Sequence, residues 1–210
     1  MIEHLIFDFD GTISDSYPLF VKFFHIEAKQ RGFEIPCSDD ELYRASKRVI
    51  RDAYDVLHCE HVCDYKTFVD DFHELQTRYR DDFQIFPEAR ELLLSAKAQG
   101  MHNYIYTHTG PVVKEMLDRM GVLDCFDFIL DSSYHFPMKP APDALLFFLD
   151  KFGFDPKTCI MIGDRPIDAH AGMGAGMYGC LWDADGLFDD AKVDFYIKNL
   201  LQVKNIIGIK

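Results

Sequence analysis

A short apolar segment near the start of the chain leads directly into two carboxylates, and this arrangement limits what the chain can fold into. The segment is HLIFDFDGT, from His4 to Thr12. A continuous apolar run bounded by a turn signal is typical of a strand buried on both faces. Because side chains alternate along a strand, Asp8 and Asp10 would point to the same side. Unless a cation or hydrogen bonds hold them, such carboxylates are costly to bury. The alternative interpretation is a structural Asp-Gly turn in which the two carboxylates have no function.

The length and charge of the chain limit the number of domains and the classes of partner that it can have. It has 210 residues, 48% of them hydrophobic, and a formal net charge of -13. This length allows one domain with an insertion, or two small domains. The acidity argues against nucleic acid and anionic membrane surfaces as partners. No apolar run approaches the ~20 residues of a membrane span, and no signal peptide precedes the first strand. We therefore expect a cytoplasmic protein whose six cysteines are free thiols.

Residues 16–84 show only helical patterns. One helix is predicted after Ser16, and a capping-box pattern at Ser38 opens a second. The apolar residues of the second helix follow helical spacing without interruption across Val49, which predicts one continuous helix. A third helix is predicted from about Tyr65. This all-helical segment interrupts an otherwise alternating pattern, so it reads as an inserted domain.

Strands alternate with helices from residue 85 onward, which predicts a parallel sheet with helices on both faces. The fold class is therefore α/β, a doubly wound parallel sheet with an inserted α-helical domain. The expected division is a core of residues 1–15 and 85–210 and an insertion of residues 16–84. Ligands of such sheets bind at the carboxyl ends of the strands. This rule selects the polar residues just past each strand, which include Asp8, Asp10, Thr107, His108, Lys139, Asp164 and Asp168.

Four motifs in order resemble those of the haloacid dehalogenase superfamily, in its phosphatase-like branch. They are DFDGT from Asp8, the strand end at Thr107, the MKPAPD segment around Lys139, and GDRPID from Gly163. The resemblance covers nearly the whole chain, and the helical insertion, where the family has its cap, is the least specific part. It implies that Asp8 is a nucleophile forming an aspartyl-phosphate, and that Asp10 is the general acid and base.

The same resemblance implies how charge is compensated. Thr107 would hydrogen-bond a phosphoryl oxygen, and Lys139 would touch both that group and Asp8. His108 stands where related chains often have Asn; it could bind phosphate through its backbone amide and add pH dependence, or be a solvated loop histidine. An all-oxygen site suits Mg²⁺.

The resemblance also assigns the metal ligands. They would be Asp8, the main-chain carbonyl of Asp10, and Asp164. Asp168 would support the metal through water or hold Lys139; favourable charge at a helix N-terminus is the alternative for Asp168.

Three other features have simpler explanations. The segment HCEHVC at 58–63 offers soft ligands for zinc, but a helix end with its loop is the favoured interpretation, since zinc sites usually draw ligands from two segments. Arg44, Lys47, Arg48 and Arg51 form a basic stripe. It is best read as a solvated face with one residue pointing inward. Gly172, Gly174 and Gly176 indicate tight helix packing rather than a nucleotide loop.

The sequence thus predicts a Mg²⁺-dependent phosphatase of small phosphorylated metabolites, resembling the phosphoglycolate phosphatase-like group. Phosphoglycolate, sugar phosphates and nucleotides remain open as substrates. A β-phosphoglucomutase-like phosphotransferase shares the motifs and is the first alternative. A dehalogenase would not need Asp10, and a non-catalytic binding protein would not need an intact set of Asp8, Asp10, Lys139 and Asp164.

Overall fold

The computed structural model of the protein describes residues 1–209. By their internal contacts these residues form two compact units. The first unit joins Met1–Ser14 to the chain from Ile85 onward, and the second unit is Asp15–Gln84. The first junction lies one residue before the expected division, and the second coincides with it.

The first unit is built on one six-stranded sheet, and the predicted α/β fold with a doubly wound parallel sheet is confirmed. The strand order is β3-β2-β1-β4-β5-β6, and every neighbouring pair is parallel. The strands are β1 His4–Phe7, β2 His102–Tyr106, β3 Phe126–Leu130, β4 Cys159–Gly163, β5 Tyr178–Trp182 and β6 Phe195–Ile197. The helices of this unit are α5 Pro87–Ala98, α6 Val113–Arg119, α7 Asp143–Phe152, α8 Pro166–Gly174 and α9 Val203–Ile207.

The two central strands are buried along their whole length, as their continuous apolar sequences predict. Every residue of β1 and β4 is buried. Residues of α7 and α8 join side chains from β1, β2 and β4 in one hydrophobic cluster. On the opposite face of β2, the Asn103 side chain donates to the carbonyl of Leu93 in α5. Burial of this kind stabilises the fold by about 25 cal/mol per Å² of apolar surface removed from water.

The glycine-rich stretch after β4 serves helix packing. A Cβ at Gly172 would lie 2.6 Å from the Cβ of Met161 in β4. Only a residue without a side chain lets α8 approach the strand this closely. The interpretation as a packing residue is therefore confirmed for Gly172. A Cβ at Gly174 would lie 3.3 Å from the Cβ of Pro142, whereas Gly176 follows α8 and has a φ of +83°, which favours glycine for its backbone.

The strand order reverses at β1, and this places the first motif at the switch point of the sheet. β1 pairs with β2 on one side and with β4 on the other. Phe7 lies opposite Ile105 and Ile162, so Asp8 emerges where three strands end together. The backbone N–H of Asp8 still donates to the carbonyl of Ile162, at 2.9 Å. The site therefore begins on a fixed backbone rather than on a loop.

The second unit contains four helices: α1 Tyr17–Arg31, α2 Asp39–Arg48, α3 Ile50–Leu57 and α4 Tyr65–Arg78. The Ser38 side chain accepts from the backbone N–H of Glu41, which caps α2 as the sequence predicted. The prediction of one continuous helix across Val49 is wrong. Val49 has extended backbone (φ -162°, ψ 147°) and a side chain that is 37% exposed. Its apolar character fits the helical spacing, but it does not lie on the buried face.

The segment 58–63 and the basic stripe have ordinary structural roles. α3 ends at Leu57, and His58 follows it in the left-handed region. Arg44, Arg48 and Arg51 each pair with an aspartate four residues away, and each is about half exposed. Lys47 is instead buried, with its ammonium 5.8 Å from the centre of the Tyr17 ring. A solvated face with one inward residue is therefore confirmed.

One carboxylate of the second unit is buried without a hydrogen bond. Glu27 on α1 is 1% exposed, and neither of its carboxylate oxygens accepts a hydrogen bond. The nearest cation, Arg31, is 3.9 Å away and is hydrogen-bonded to Asp71. Burial, reinforced by the charge of Asp71, raises the pKa of Glu27 to about 8. Glu27 is therefore mostly neutral at pH 7.

We expect Glu27→Gln to stabilise the protein, and increasingly so as the pH rises. The folded-state pKa of Glu27 lies above its ordinary value of 4.5, so the folded chain binds the extra proton. The contribution of Glu27 to the free energy of unfolding is therefore largest below pH 4.5, and it decreases as the pH rises to about 8. At pH 7 we expect the free energy of unfolding of Glu27→Gln to exceed that of wild type by on the order of 3 kcal/mol.

Urea unfolding followed by far-UV circular dichroism at several pH values measures this difference. Glu74→Gln, on the exposed side of α4, is the control. An equal free energy of unfolding for wild type and Glu27→Gln at pH 5 and pH 8 would contradict the assignment.

No helix among residues 1–209 combines the length and the apolar character needed to cross a membrane.

Candidate active site

A buried ion-pair cluster lies at the carboxyl ends of β1 and β4. The Lys139 ammonium donates to Asp8 Oδ1 at 2.7 Å and to Asp168 Oδ1 at 2.8 Å. It also donates to the carbonyl oxygen of Tyr106 at 2.9 Å. All three charged side chains are almost completely buried. The structure thus brings together residues from distant parts of the chain, since Asp8 lies 131 positions before Lys139 and Lys139 lies 29 positions before Asp168.

Three different elements position this cluster. Asp8 follows the central strand β1, Lys139 lies in the segment between β3 and α7, and Asp168 is in the first turn of α8. The backbone N–H of Arg165, just before α8, donates to Asp168 Oδ2 at 3.2 Å. Both carboxylate oxygens of Asp168 are therefore engaged. Of the two roles expected for Asp168, this geometry fits holding Lys139.

Gly163, the last residue of β4, makes this arrangement sterically feasible. A Cβ at this position would lie 2.2 Å from the Cβ of Asp168 and 2.5 Å from its Oδ2. These separations are far below van der Waals contact. A side chain at position 163 would displace the carboxylate that orients Lys139.

We therefore expect Gly163→Ala to lower the phosphatase turnover predicted from the sequence by roughly 100-fold or more, because a shift of about 1 Å at a reacting group costs that much. Gly110→Ala is the matched control, since its Cβ would meet only the Ser132 hydroxyl at 3.7 Å. Steady-state kinetics of both variants makes the comparison. Full activity in Gly163→Ala would show that the position of Asp168 is unimportant.

The charges of the cluster shift one another's titration. Burial raises the pKa of Asp8 to about 6, against the opposing effect of Lys139. Burial also raises the pKa of Asp168, but Lys139 and Arg165 outweigh it, so the net shift is downward. Burial lowers the pKa of Lys139, and Asp168 and Asp8 raise it by more. At neutral pH the cluster therefore holds one ammonium between two carboxylates.

Asp10 and Thr107 lie beside this cluster. The hydroxyl of Thr109 donates to Asp10 Oδ2 at 2.6 Å. The backbone N–H of Thr109 donates to the hydroxyl oxygen of Thr107 at 3.0 Å. This bond uses Thr107 Oγ1 as an acceptor, so its hydrogen is available to another acceptor. Sequence reasoning missed Thr109, which follows the second motif by two positions.

His108 is a neutral ring that contacts the third motif. Its Nε2 accepts from the backbone N–H of Lys139 at 3.3 Å. Burial and the charges of Lys139 and Arg165 lower its pKa to about 3. Because Nε2 is the acceptor, the ring hydrogen is on Nδ1. A solvated loop histidine is not observed, and no pH dependence near neutrality is expected from this ring.

Three buried aspartates form a cluster whose oxygen atoms could hold a metal ion. One carboxylate oxygen from each of Asp8, Asp164 and Asp168 lies within 4.8 Å of the other two. Among residues 1–209 no other three His, Cys, Asp or Glu side chains come together in this way. Asp8 Oδ2 is buried and accepts no hydrogen bond. Oxygen ligands in a compact acidic group fit Mg²⁺, and Asp168 also holds Lys139 through its Oδ1.

Arg165 also lies in the site, although sequence reasoning did not select it. Its Nη2 is 3.8 Å from Asp8 Oδ2, and its Nε is 3.9 Å from Asp168 Oδ2. Its side chain is 16% exposed, whereas Lys139 has no exposed surface. Arg165 is the second residue of the GDRPID motif after Gly163. That position lies between the expected metal ligand and Asp168, and nothing in the spacing marks it.

A comparison with known protein families identifies the family of this chain. The family described as haloacid dehalogenase-like hydrolase matches residues 5–181. The chain belongs to this family. The predicted membership in the haloacid dehalogenase superfamily is therefore confirmed.

Two relatives and one solved structure match most of the chain. Pyrophosphatase PpaX of Bacillus velezensis is 26% identical over 223 residues, covering 100% of this chain and 98% of the relative. Phosphoglycolate phosphatase of Neisseria gonorrhoeae is 27% identical over 190 residues, covering 83% and 78%. The crystal structure of a predicted phosphoglycolate phosphatase from Haemophilus somnus 129pt has a TM-score of 0.82 at 20% identity, covering 98% of both chains.

Proposed function

We propose that this haloacid dehalogenase-like hydrolase is a Mg²⁺-dependent phosphatase of small phosphomonoesters that acts through an aspartyl-phosphate. The observation that carries the proposal is the state of Asp8. One carboxylate oxygen is held by Lys139, while the other is buried, accepts no hydrogen bond and faces Arg165. A buried, oriented carboxylate without a donor on its second oxygen is suited to nucleophilic attack. The names of two relatives, a phosphoglycolate phosphatase and a pyrophosphatase, support a phosphate ester or anhydride as substrate.

In the first step, a carboxylate oxygen of Asp8 attacks phosphorus, and the bond from phosphorus to the leaving oxygen breaks. Asp10 gives its proton to that oxygen, so the product leaves as an alcohol. The hydrogen bond from Thr109 fixes the Asp10 carboxyl for this transfer. Asp8, with a pKa of about 6, is largely ionised at neutral pH and available as the nucleophile.

In the second step, water attacks the phosphorus of the aspartyl-phosphate. Asp10 now accepts a proton from that water, which restores its acid form. The bond from phosphorus to Asp8 breaks, and orthophosphate and the free carboxylate result. Thr107 donates its hydroxyl hydrogen to a phosphoryl oxygen, and the backbone amide of His108 lies beside it in the sequence.

Asp8, Asp164 and the main-chain carbonyl of Asp10 would hold Mg²⁺, with Asp168 in support. When bound, the ion neutralises charge on the phosphoryl group and orients it. The separation of at most 4.8 Å among the carboxylate oxygens supports this ligand set. The net charge of -13 also requires a local cation, because the chain as a whole repels an anionic substrate.

The helical second unit, Asp15–Gln84, is proposed as the substrate-selecting cap of the enzyme. Its all-helical composition and its place between the first and second motifs support this role. The substrate is a small phosphorylated metabolite. We further propose a cytoplasmic location, which the six free cysteines support.

Release of orthophosphate from a panel of small phosphomonoesters tests this function. The panel contains phosphoglycolate, sugar phosphates, nucleoside monophosphates and pyrophosphate, each assayed with Mg²⁺ and with EDTA. Metal-dependent release is the expected result. Isomerised sugar phosphate without release would indicate a phosphoglucomutase-like transfer, and neither product from any compound would contradict the enzymatic proposal.

A further inference from the structure

The ammonium of Lys139 also contacts an aromatic ring to which the proposed mechanism gives no role. It lies over the face of Tyr106, 4.5 Å from the centre of the ring, and it donates to the carbonyl oxygen of the same residue. A cation within about 6 Å of a ring centre is attracted by the negative face of the ring, most strongly where water is excluded. The Lys139 side chain has no exposed surface, and Tyr106 is 2% exposed. Tyr106 therefore stabilises the ammonium at two points.

The position of the ring is set by the core of the first unit. Tyr106 is the last residue of β2, and its side chain belongs to the hydrophobic cluster that α7 joins through Ala144 and Leu145. Its hydroxyl is buried and has no hydrogen-bond partner among residues 1–209. Packing of the ring, rather than a hydrogen bond of the hydroxyl, therefore fixes the surface on which the ammonium lies.

The backbone end of Lys139 is held by the same segment of the chain. His108 accepts from the backbone N–H of Lys139 at 3.3 Å, and its ring centre lies 5.8 Å from that of Tyr106. Residues 106–108 thus contact Lys139 at its backbone and at its ammonium. The four-carbon stem between these points is flexible in a free lysine. The contacts at the ammonium are therefore what determines its place next to Asp8.

We propose that Tyr106 is a positioning residue of the enzyme, whose ring face holds the Lys139 ammonium where it orients Asp8. This inference rests on the proposed phosphatase function and adds a residue that acts only through Lys139. The contact between Lys139 and Asp8 is direct, at 2.7 Å. Without the ring the ammonium can move into the space that the ring occupies, and Asp8 loses its fixed orientation. A displacement of about 1 Å at a reacting group lowers the rate by up to ~100-fold.

Steady-state kinetics on small phosphomonoesters tests the effect on the reaction. Tyr106→Leu removes the ring, whereas Tyr106→Phe keeps the ring face and removes only the hydroxyl. Tyr104→Leu is the matched control, because Tyr104 lies two residues earlier on the same face of β2, in the same cluster, and is 3% exposed. We expect Tyr106→Leu to lower kcat by about tenfold or more with little change in KM. Tyr106→Phe should restore kcat, and Tyr104→Leu should leave both constants unchanged.

A double-mutant cycle measures the contact without any substrate. Urea unfolding in EDTA compares wild type, Tyr106→Leu, Lys139→Leu and the double variant. Leu is used at position 139 because the sulfur of Met would itself contact the ring favourably. We expect Tyr106→Leu to change the unfolding equilibrium constant by about tenfold less when Lys139 is absent. The effect of Tyr104→Leu should be the same in both backgrounds.

These measurements separate failure of the inference from failure of the proposed function. Absence of coupling between positions 106 and 139, or equal losses of kcat in Tyr106→Leu and Tyr104→Leu, would overturn the role of Tyr106. Coupling in a protein that hydrolyses no ester would support the hold of Tyr106 on Lys139 and remove the phosphatase proposal. If Tyr106→Leu does not fold, pentafluorophenylalanine at position 106 decides, because it keeps the shape of the ring but not its negative face. Stability and kcat equal to those of Tyr106→Phe would then overturn the inference.

Discussion

Asp8→Asn should abolish phosphate release, lowering kcat by roughly 10⁴-fold or more. The amide has nearly the shape of the carboxylate but is not a nucleophile. Lys139 keeps its ion pair with Asp168 and its bond to the Tyr106 carbonyl. The buried ammonium therefore remains compensated, and the variant should fold normally. Phosphate release at saturating substrate, together with the circular dichroism spectrum, measures both effects.

Two further variants make the Asp8 result interpretable. Asp150→Asn makes the same chemical change at an exposed position of α7 and should leave turnover unchanged. Asp8→Ala cannot return to aspartate by deamidation, so residual activity in Asp8→Asn alone would be traced to that reaction. Activity within tenfold of wild type in both Asp8 variants would refute the nucleophile assignment.

Lys139→Met should destabilise the protein by about 3–5 kcal/mol in EDTA, the typical cost of removing one partner from a buried ion pair. Met fills a similar volume but leaves Asp8 and Asp168 facing each other without a counter-charge. Denaturant unfolding in EDTA measures the loss, because a bound divalent cation would partly replace the missing charge. We also expect turnover to fall, since Asp8 loses the group that orients it.

A double variant separates charge from packing in this prediction. Adding Asp168→Asn to Lys139→Met removes one of the two uncompensated carboxylates, so part of the lost stability should return. Lys157→Met, at an exposed position, should change the free energy of unfolding by no more than about 0.5 kcal/mol. A loss of less than about 1 kcal/mol in Lys139→Met would mean that the cluster contributes little to folding.

The sequence was most informative where one local pattern determines one structural outcome. The apolar run before Asp8 predicted a buried strand, the alternation after residue 85 predicted a parallel sheet, and both are observed. The rule that ligands bind at carboxyl ends then selected Asp8, Lys139, Asp164 and Asp168 without any coordinates. The structure places these four in one buried group.

Other features depend on contacts that no local pattern encodes. Val49 fits the apolar spacing of a helix, yet its backbone is extended and its side chain is exposed. The ring of His108 turned out to accept from the backbone of Lys139, thirty-one residues away. Arg165 occupies a position inside the GDRPID motif that no spacing rule marks, and only the structure places its Nη2 3.8 Å from Asp8 Oδ2. Each of these depends on tertiary packing, which composition and spacing do not specify.

The central claim is that Asp8 carries the phosphoryl group, and chemical trapping tests it most directly. The enzyme is mixed with its best substrate and Mg²⁺, quenched in acid, and reduced with borohydride, which converts an acyl phosphate to an alcohol. Peptide mapping by mass spectrometry should then find homoserine at position 8 in wild type and not in Asp8→Asn. The claim would be contradicted if orthophosphate were released at the normal rate while the aspartate at position 8 stayed unmodified, whether the reduced product was found on another residue or on none.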